Sequence, residues 1–155
     1  MGLQAKVLTV SDSVADGTRE DRSGVALVEH LRAHGYDVVE HRSVPDGIAP
    51  VVDALRAACT GFAGLVVTTG GTGFGPRDLT PEATGEVLER EAPGLAEAMR
   101  LVSPLGRLSR ARAGTLGRSL VLNTPGSPLG CIECLDSVLE VVPHALELLS
   151  GGRPH

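Results

Sequence analysis

The sequence predicts an α/β fold, a three-layer α/β/α arrangement with a mostly parallel central sheet, as one domain over residues 1–155. Three observations predict it. Apolar runs alternate with helical stripes from residue 5 to residue 91. The runs at 5–11 and 64–67 are nearly continuous, as in strands covered on both faces. Polar or glycine-rich loops follow the strands, where open α/β sheets bind their ligands.

A chain of 155 residues can bury one substantial core. With 42% hydrophobic and 21% charged residues it reads as an ordinary globular protein. A net charge of −5 gives no general attraction for nucleic acid or an anionic membrane. An anionic ligand must therefore be held by local features. Lys6 is the only lysine among 14 basic side chains, so no P-loop Gly-Lys-Ser/Thr exists. A lysyl-AMP intermediate is disfavoured too, because Lys6 opens a buried strand. Cys59, Cys131 and Cys134 make no disulfide framework and fit a reducing compartment. The N-terminal run lacks a signal-peptide shape and no stretch reaches membrane-spanning length, so a cytoplasmic protein is expected.

Residues 5–11, AKVLTVS, form the first predicted strand. Ser11 and Asp12 then make either turn chemistry or a polar rim beside the ligand loop. A helix is expected over 21–34, with Val25, Leu27, Val28 and Leu31 as its stripe and Gly35 as its stop. Its His30 and His34, at i and i+4, have metal-ligand spacing. No acidic residue completes such a site in the sequence, so they read as helix-end histidines. Residues 36–44 form the second strand, ended by Val44-Pro45-Asp46, and a helix over 49–59 follows. Asp46 thus stands at a strand's carboxyl end, as a cap or as a metal ligand.

The strand at 64–67 leads into TTGGTGFGPRDLTPEAT, residues 68–84. Strand, glycine loop and helix together present backbone N–H groups and a helix N-terminus to phosphate. Gly70, Gly71, Gly73 and Gly75 allow close backbone approach, and Thr72 adds a hydroxyl. Arg77 adds a planar cation, and Asp78 a carboxylate for Mg²⁺. Asp46 and Asp78 on one rim can share Mg²⁺ with a triphosphate. Thr80 is the expected N-cap with Pro81 at N1, and the helix should reach residue 91. Phe74 is suited to stacking on a heterocycle or to plugging the core.

A helix over 95–102 is broken by Ser103-Pro104, and short strands are expected within 113–122. Ser109 lies in the intervening loop. Asn123, Pro125 and Gly126 form a third ligand-side loop; the Asn123 amide suits a purine or pterin edge, or a helix cap. A last helix over 129–149 carries an apolar stripe, with a kink at Pro143. Cys131 and Cys134 fall on its apolar face, as buried thiols rather than a zinc or redox pair.

GGTGF-x-PRD-x-TPEAT, followed by EREAPG, resembles the MogA/MoaB-type molybdenum-cofactor biosynthesis family, most closely the G domain of gephyrin. VSDS, DRSG, Val44-Pro45-Asp46, Leu108-Ser109-Arg110 and Asn123-x-Pro125-Gly126 extend the match over nearly the whole chain. The resemblance implies molybdopterin adenylyltransferase activity, in which AMP passes from ATP to molybdopterin with Mg²⁺ and pyrophosphate is released. It also implies a homotrimer and a pathway partner that inserts molybdenum. Asp46 and Ser109 take functional positions from it. Gly47 departs from the family, which usually has an acidic residue there, and leaves a non-catalytic molybdopterin carrier as the alternative.

Overall fold

The structure is a computed structural model and describes residues 2–152. Its six strands form one sheet in the order β2-β1-β3-β6-β5-β4. Strands β1 (Leu3–Val10), β2 (Tyr36–Val44), β3 (Gly64–Thr69) and β6 (Ser119–Thr124) run parallel. The edge strands β5 (Ala113–Leu116) and β4 (Arg90–Glu91) are antiparallel additions. The predicted mostly parallel α/β sheet is therefore the observed one.

Both faces of the sheet are covered, which is why β3 and β6 are buried at every position. On one face Val7, Leu65, Val67, Leu120 and Leu122 meet Leu27 and Leu31 of α2 (Arg22–Ala33) and Leu135 and Val138 of α6 (Pro128–Leu139). On the other, Leu8, Val66 and Val121 meet Val51 and Leu55 of α3 (Ile48–Cys59) and Ala83 and Val87 of α4 (Thr80–Val87). Alternate residues of one strand thus feed opposite layers.

The structure corrects three boundaries. Residues 12–15 form a helical turn, α1 (Asp12–Ala15), capped by the Ser11 hydroxyl accepting from the Val14 N–H at 3.3 Å. Helix α4 ends at Val87 rather than 91, because Arg90 and Glu91 leave it to pair with Thr115 and Gly114. An edge strand of two residues carries too little pattern to be read from sequence. The last helix is two: α6 ends at Leu139 and α7 (Val142–Leu149) begins anew with Pro143 in its first turn. Proline fits there because a first-turn N–H has no helical partner to lose. Helix α5 (Pro93–Arg100) and a 3₁₀ turn (Pro104–Leu108) complete the chain between β4 and β5. Among the described residues no helix is long and apolar enough to cross a membrane.

Candidate active site

Strand β1 has β2 on one side and β3 on the other, so successive connections leave it in opposite directions. This is the topological switch point at which doubly wound sheets open a crevice. A pocket of about 270 Å³ lies there. The ends of β1 (Val10, Ser11) and β3 (Thr69, Gly70, Gly71) line it, with Asp46 after β2, Asp78 and Gly126.

The glycine loop is folded by specific contacts. Gly70 and Gly71 have φ of 100° and 72°, the left-handed region that favours glycine. A Cβ on Gly71 would stand 2.3 Å from Thr80 Oγ1 and 3.3 Å from Asp46 Oδ1. The Thr80 hydroxyl, fully buried, donates to the Gly70 carbonyl at 3.0 Å. It ties the loop rather than capping α4, whose N-cap position is Leu79. Asp78 accepts from the Gly75 N–H at 2.9 Å. Phe74 is 71% exposed, so it does not plug the core.

The carboxylates form a cluster. Asp12 and Asp46 bond each other's backbone: Asp12 N–H to Asp46 Oδ2 at 3.0 Å, and Asp46 N–H to Asp12 Oδ1 at 3.1 Å. Arg77 forks onto Asp12, Nε to Oδ2 at 2.6 Å and Nη2 to Oδ1 at 3.0 Å, and also donates to the Asp46 carbonyl at 2.9 Å. Those bonds hold the Asp12 carboxyl below the usual aspartate range. Asp46 goes the other way. Burial, with repulsion from Asp12 and Asp78, outweighs the Asp12 hydrogen bond and the Arg77 charge and raises it. Arg77 is thus committed to Asp12, while Asp46 and Asp78 lack a cation of their own among the described residues.

A second pocket, of about 340 Å³, adjoins the first. Val102, Leu105, Ala111, Leu129 and Met99 line it, with Ser109, Asn123 and Pro125. The loop after β6 divides the two, with Gly126 and Pro128 on one side and Pro125 and Ser127 on the other. The fully buried Asn123 has its amide engaged within the fold. Its Nδ2 donates to Thr68 Oγ1 at 3.0 Å and Thr84 Oγ1 at 3.1 Å, and its Oδ1 accepts from the Arg112 N–H at 3.0 Å. Asn123 therefore fixes the loop from beneath, and neither reads a ligand edge with that amide nor caps α6. The α6 cap is Ser127, accepting from the Gly130 N–H. Ser109 Oγ accepts from the Ala111 N–H at 3.2 Å. Thr72 is buried, and its carbonyl accepts from the Arg110 N–H at 2.9 Å.

Sequence reasoning missed two supports. Arg110 donates to the Gly73 carbonyl at 2.9 Å, to the Asp78 carbonyl and to Glu82, clamping the loop at both ends. Its position in Leu108-Ser109-Arg110 was the available signal. Asp21, in DRSG, lines the first pocket and is held by the Thr9 hydroxyl at 2.8 Å, His41 Nε2 at 2.7 Å and the Gly24 N–H at 2.9 Å. Nothing in the sequence pairs His41 with Asp21, which only the β1–β2 register brings near.

Residues 6–144 match a family model described as a probable molybdopterin binding domain. The chain is 39% identical to a molybdopterin adenylyltransferase of Helicobacter pylori, over 94% of this chain and 87% of that one. The structure of the molybdopterin biosynthesis enzyme MoaB of Thermus thermophilus superposes with a TM-score of 0.89, at 47% identity and 99% coverage of both chains. The tungsten cofactor synthesizing protein MoaB of Pyrococcus furiosus superposes with a TM-score of 0.85 at 34% identity, covering 96% of this chain and 97% of that one. The chain belongs to the molybdopterin-binding domain family of molybdenum-cofactor biosynthesis.

Proposed function

We propose that this protein is a molybdopterin adenylyltransferase acting through a single molybdopterin-binding domain. The observation that carries the reading is a polar, carboxylate-rimmed pocket at the switch point, adjoined by an apolar one. That pairing suits a phosphate chain joined to a heterocycle. The H. pylori relative's name supports the same reaction.

In this reading a terminal phosphate oxygen of molybdopterin attacks the α-phosphorus of ATP, and pyrophosphate leaves. No protein nucleophile is required, and Lys6 is remote from such a role: its Nζ donates to the Ala58 carbonyl at 2.9 Å and pairs with Glu40. The protein's work is positioning and charge neutralisation. Backbone amides of residues 71–73 grip phosphate, whereas the Gly70 N–H is engaged by the Thr124 carbonyl at 3.1 Å. Arg77 Nη1, with no partner among the described residues, can reach phosphate while Nε and Nη2 hold Asp12. Asp46 and Asp78 fit Mg²⁺, because they are oxygen donors that repel each other and neither side chain is ion-paired among the described residues, the nearby Arg77 being bound to Asp12. Bound there, Mg²⁺ would supply neutralisation of the phosphate charge.

The test is a single-turnover assay with molybdopterin, ATP and Mg²⁺. Adenylyl-molybdopterin and pyrophosphate should form together and disappear with EDTA. Asp78→Asn should lower turnover by roughly 10²-fold, the scale of one lost charge-stabilising element. A folded Asp78→Asn protein with near-normal turnover would remove Asp78 from the mechanism. One feature favours a carrier instead: Gly47, at φ 114°, puts no carboxylate beside Asp46. Molybdopterin binding with ATP left intact would establish that reading. We further read the protein as a cytoplasmic homotrimer that passes its product to a molybdenum-inserting partner. The exposed Leu101, Leu105, Leu108 and Leu129 support self-association, which light scattering on purified protein would measure.

A further inference from the structure

The last turns of α2 and α6 meet at the end of the sheet opposite the candidate active site. His30 and the C-cap residue His34 stand one turn apart, with ring centroids 4.3 Å apart. His30 Nε2 lies 2.5 Å from Asp136 Oδ1 of α6, a residue 106 positions away. One ligand atom from each of the three lies within 4.8 Å of the others. The sequence shows the histidine pair but not the acid, which α2–α6 packing brings in.

One further observation supports an occupant. His34 Nδ1 is 2.8 Å from the His30 carbonyl. A carbonyl only accepts, so Nδ1 carries the proton, and in the neutral ring Nε2 presents the lone pair. That is the backbone support that metal-bound histidines use to fix their tautomer. His34 and Asp136 also line a surface pocket of about 320 Å³ with Tyr36 and Glu140. The Tyr36 hydroxyl is enclosed, on a residue only 5% exposed, and has no hydrogen-bond partner among the described residues. That hydroxyl is sealed from the pocket and is not part of the cation site.

We propose that His30, His34 and Asp136 bind a divalent transition-metal ion of the zinc class, joining α2 to α6. Two imidazoles and one carboxylate suit Zn²⁺ and Co²⁺ and are poor for Mg²⁺, which prefers oxygen donors alone. Tetrahedral zinc holds such atoms about 3.3 Å apart. The His30–Asp136 contact therefore opens slightly and His34 closes in, motions available to the exposed His34 and Asp136 side chains. A fourth position remains for water. Its place at the amino ends of β1 and β2 makes the site a clip rather than part of the reaction.

The test uses tag-free full-length protein, stripped of metal and titrated with Co²⁺ and, separately, Zn²⁺. One equivalent of Co²⁺ should give the intense visible bands of four-coordinate cobalt. Zn²⁺ at a hundred times its Kd should raise Tm by roughly 5–10 °C. His34→Ala and Asp136→Asn should each weaken binding by about tenfold or more, while Asp46→Asn leaves the intense four-coordinate bands unchanged. Asp136→Asn keeps a hydrogen-bonding partner for His30 and serves if His34→Ala does not fold. Weak six-coordinate bands, thiolate charge-transfer bands, millimolar affinity, or binding indifferent to these substitutions would each overturn the proposal.

Discussion

Gly71→Ala tests whether the glycine loop is held by the geometry described. At φ 72° an alanine costs about 1–2 kcal/mol for the left-handed backbone. Its Cβ would stand 2.3 Å from Thr80 Oγ1, so the hydroxyl must rotate away from the Gly70 carbonyl. Thr80 is fully buried, and breaking that bond costs about 1–3 kcal/mol because both groups lose their partner away from water. Restricting the unfolded chain returns about 0.4–1 kcal/mol. The net expectation is a loss of roughly 2–4 kcal/mol, or about 4–16 °C in Tm for a chain of this size. Gly73→Ala is the companion variant. Gly73 has no positive φ, and its added Cβ would meet only Asp78 Oδ2, at 3.1 Å. Its stability should change by less than about 1 kcal/mol, while the displaced Asp78 carboxylate lowers turnover. Urea unfolding of both proteins, read by circular dichroism, separates the cases. Equal stability of Gly71→Ala and wild type would refute the assignment of strain and of the Thr80 tether.

Asp46 carries a pH signature. Its raised pKa means that the folded state binds the proton more tightly than the unfolded chain. Its contribution to stability is greatest below the ordinary aspartate value of 3.8 and falls as pH rises through the raised value. Asp46→Asn should therefore match or exceed wild-type Tm at pH 7, flatten the pH dependence just above 3.8, and abolish turnover; a lower Tm at pH 7 would contradict the sign. The thiols provide another check. Burial pushes Cys131 and Cys134 up to about 11. Both should resist thiol reagents and mild oxidants in the folded protein and react promptly in urea. Rapid disulfide formation between them without unfolding would show that α6 opens locally.

Much of the fold was legible because its signals are local. Strand β2 begins and ends as the sequence indicates, since Gly35 (φ 87°) punctuates one end and Pro45 the other. The continuous apolar runs of β1 and β3 announced a sheet covered on both faces. The glycine loop was legible for the same reason, with strand, glycines, Arg77 and Asp78 contiguous. What the side chains do there was not legible. The loop presents Arg77 as a free planar cation, yet most of its hydrogen bonds go to Asp12, 65 residues away. The Asn123 amide suits a ligand edge or a helix cap by its place in the chain, yet three internal bonds engage it.

The sequence by itself determined the α/β class, the family and the loops that carry chemistry, because periodicity and motif are properties of neighbouring residues. Only the tertiary structure decided the partners. It set Asp12 against Asp46 across the ends of β1 and β2, His41 against Asp21, Arg110 against the glycine loop, and Asp136 against His30. Each of these pairs joins residues far apart in the chain. Parallel strands place their ends side by side only after a crossover helix has packed, so no local pattern records which side chains will meet.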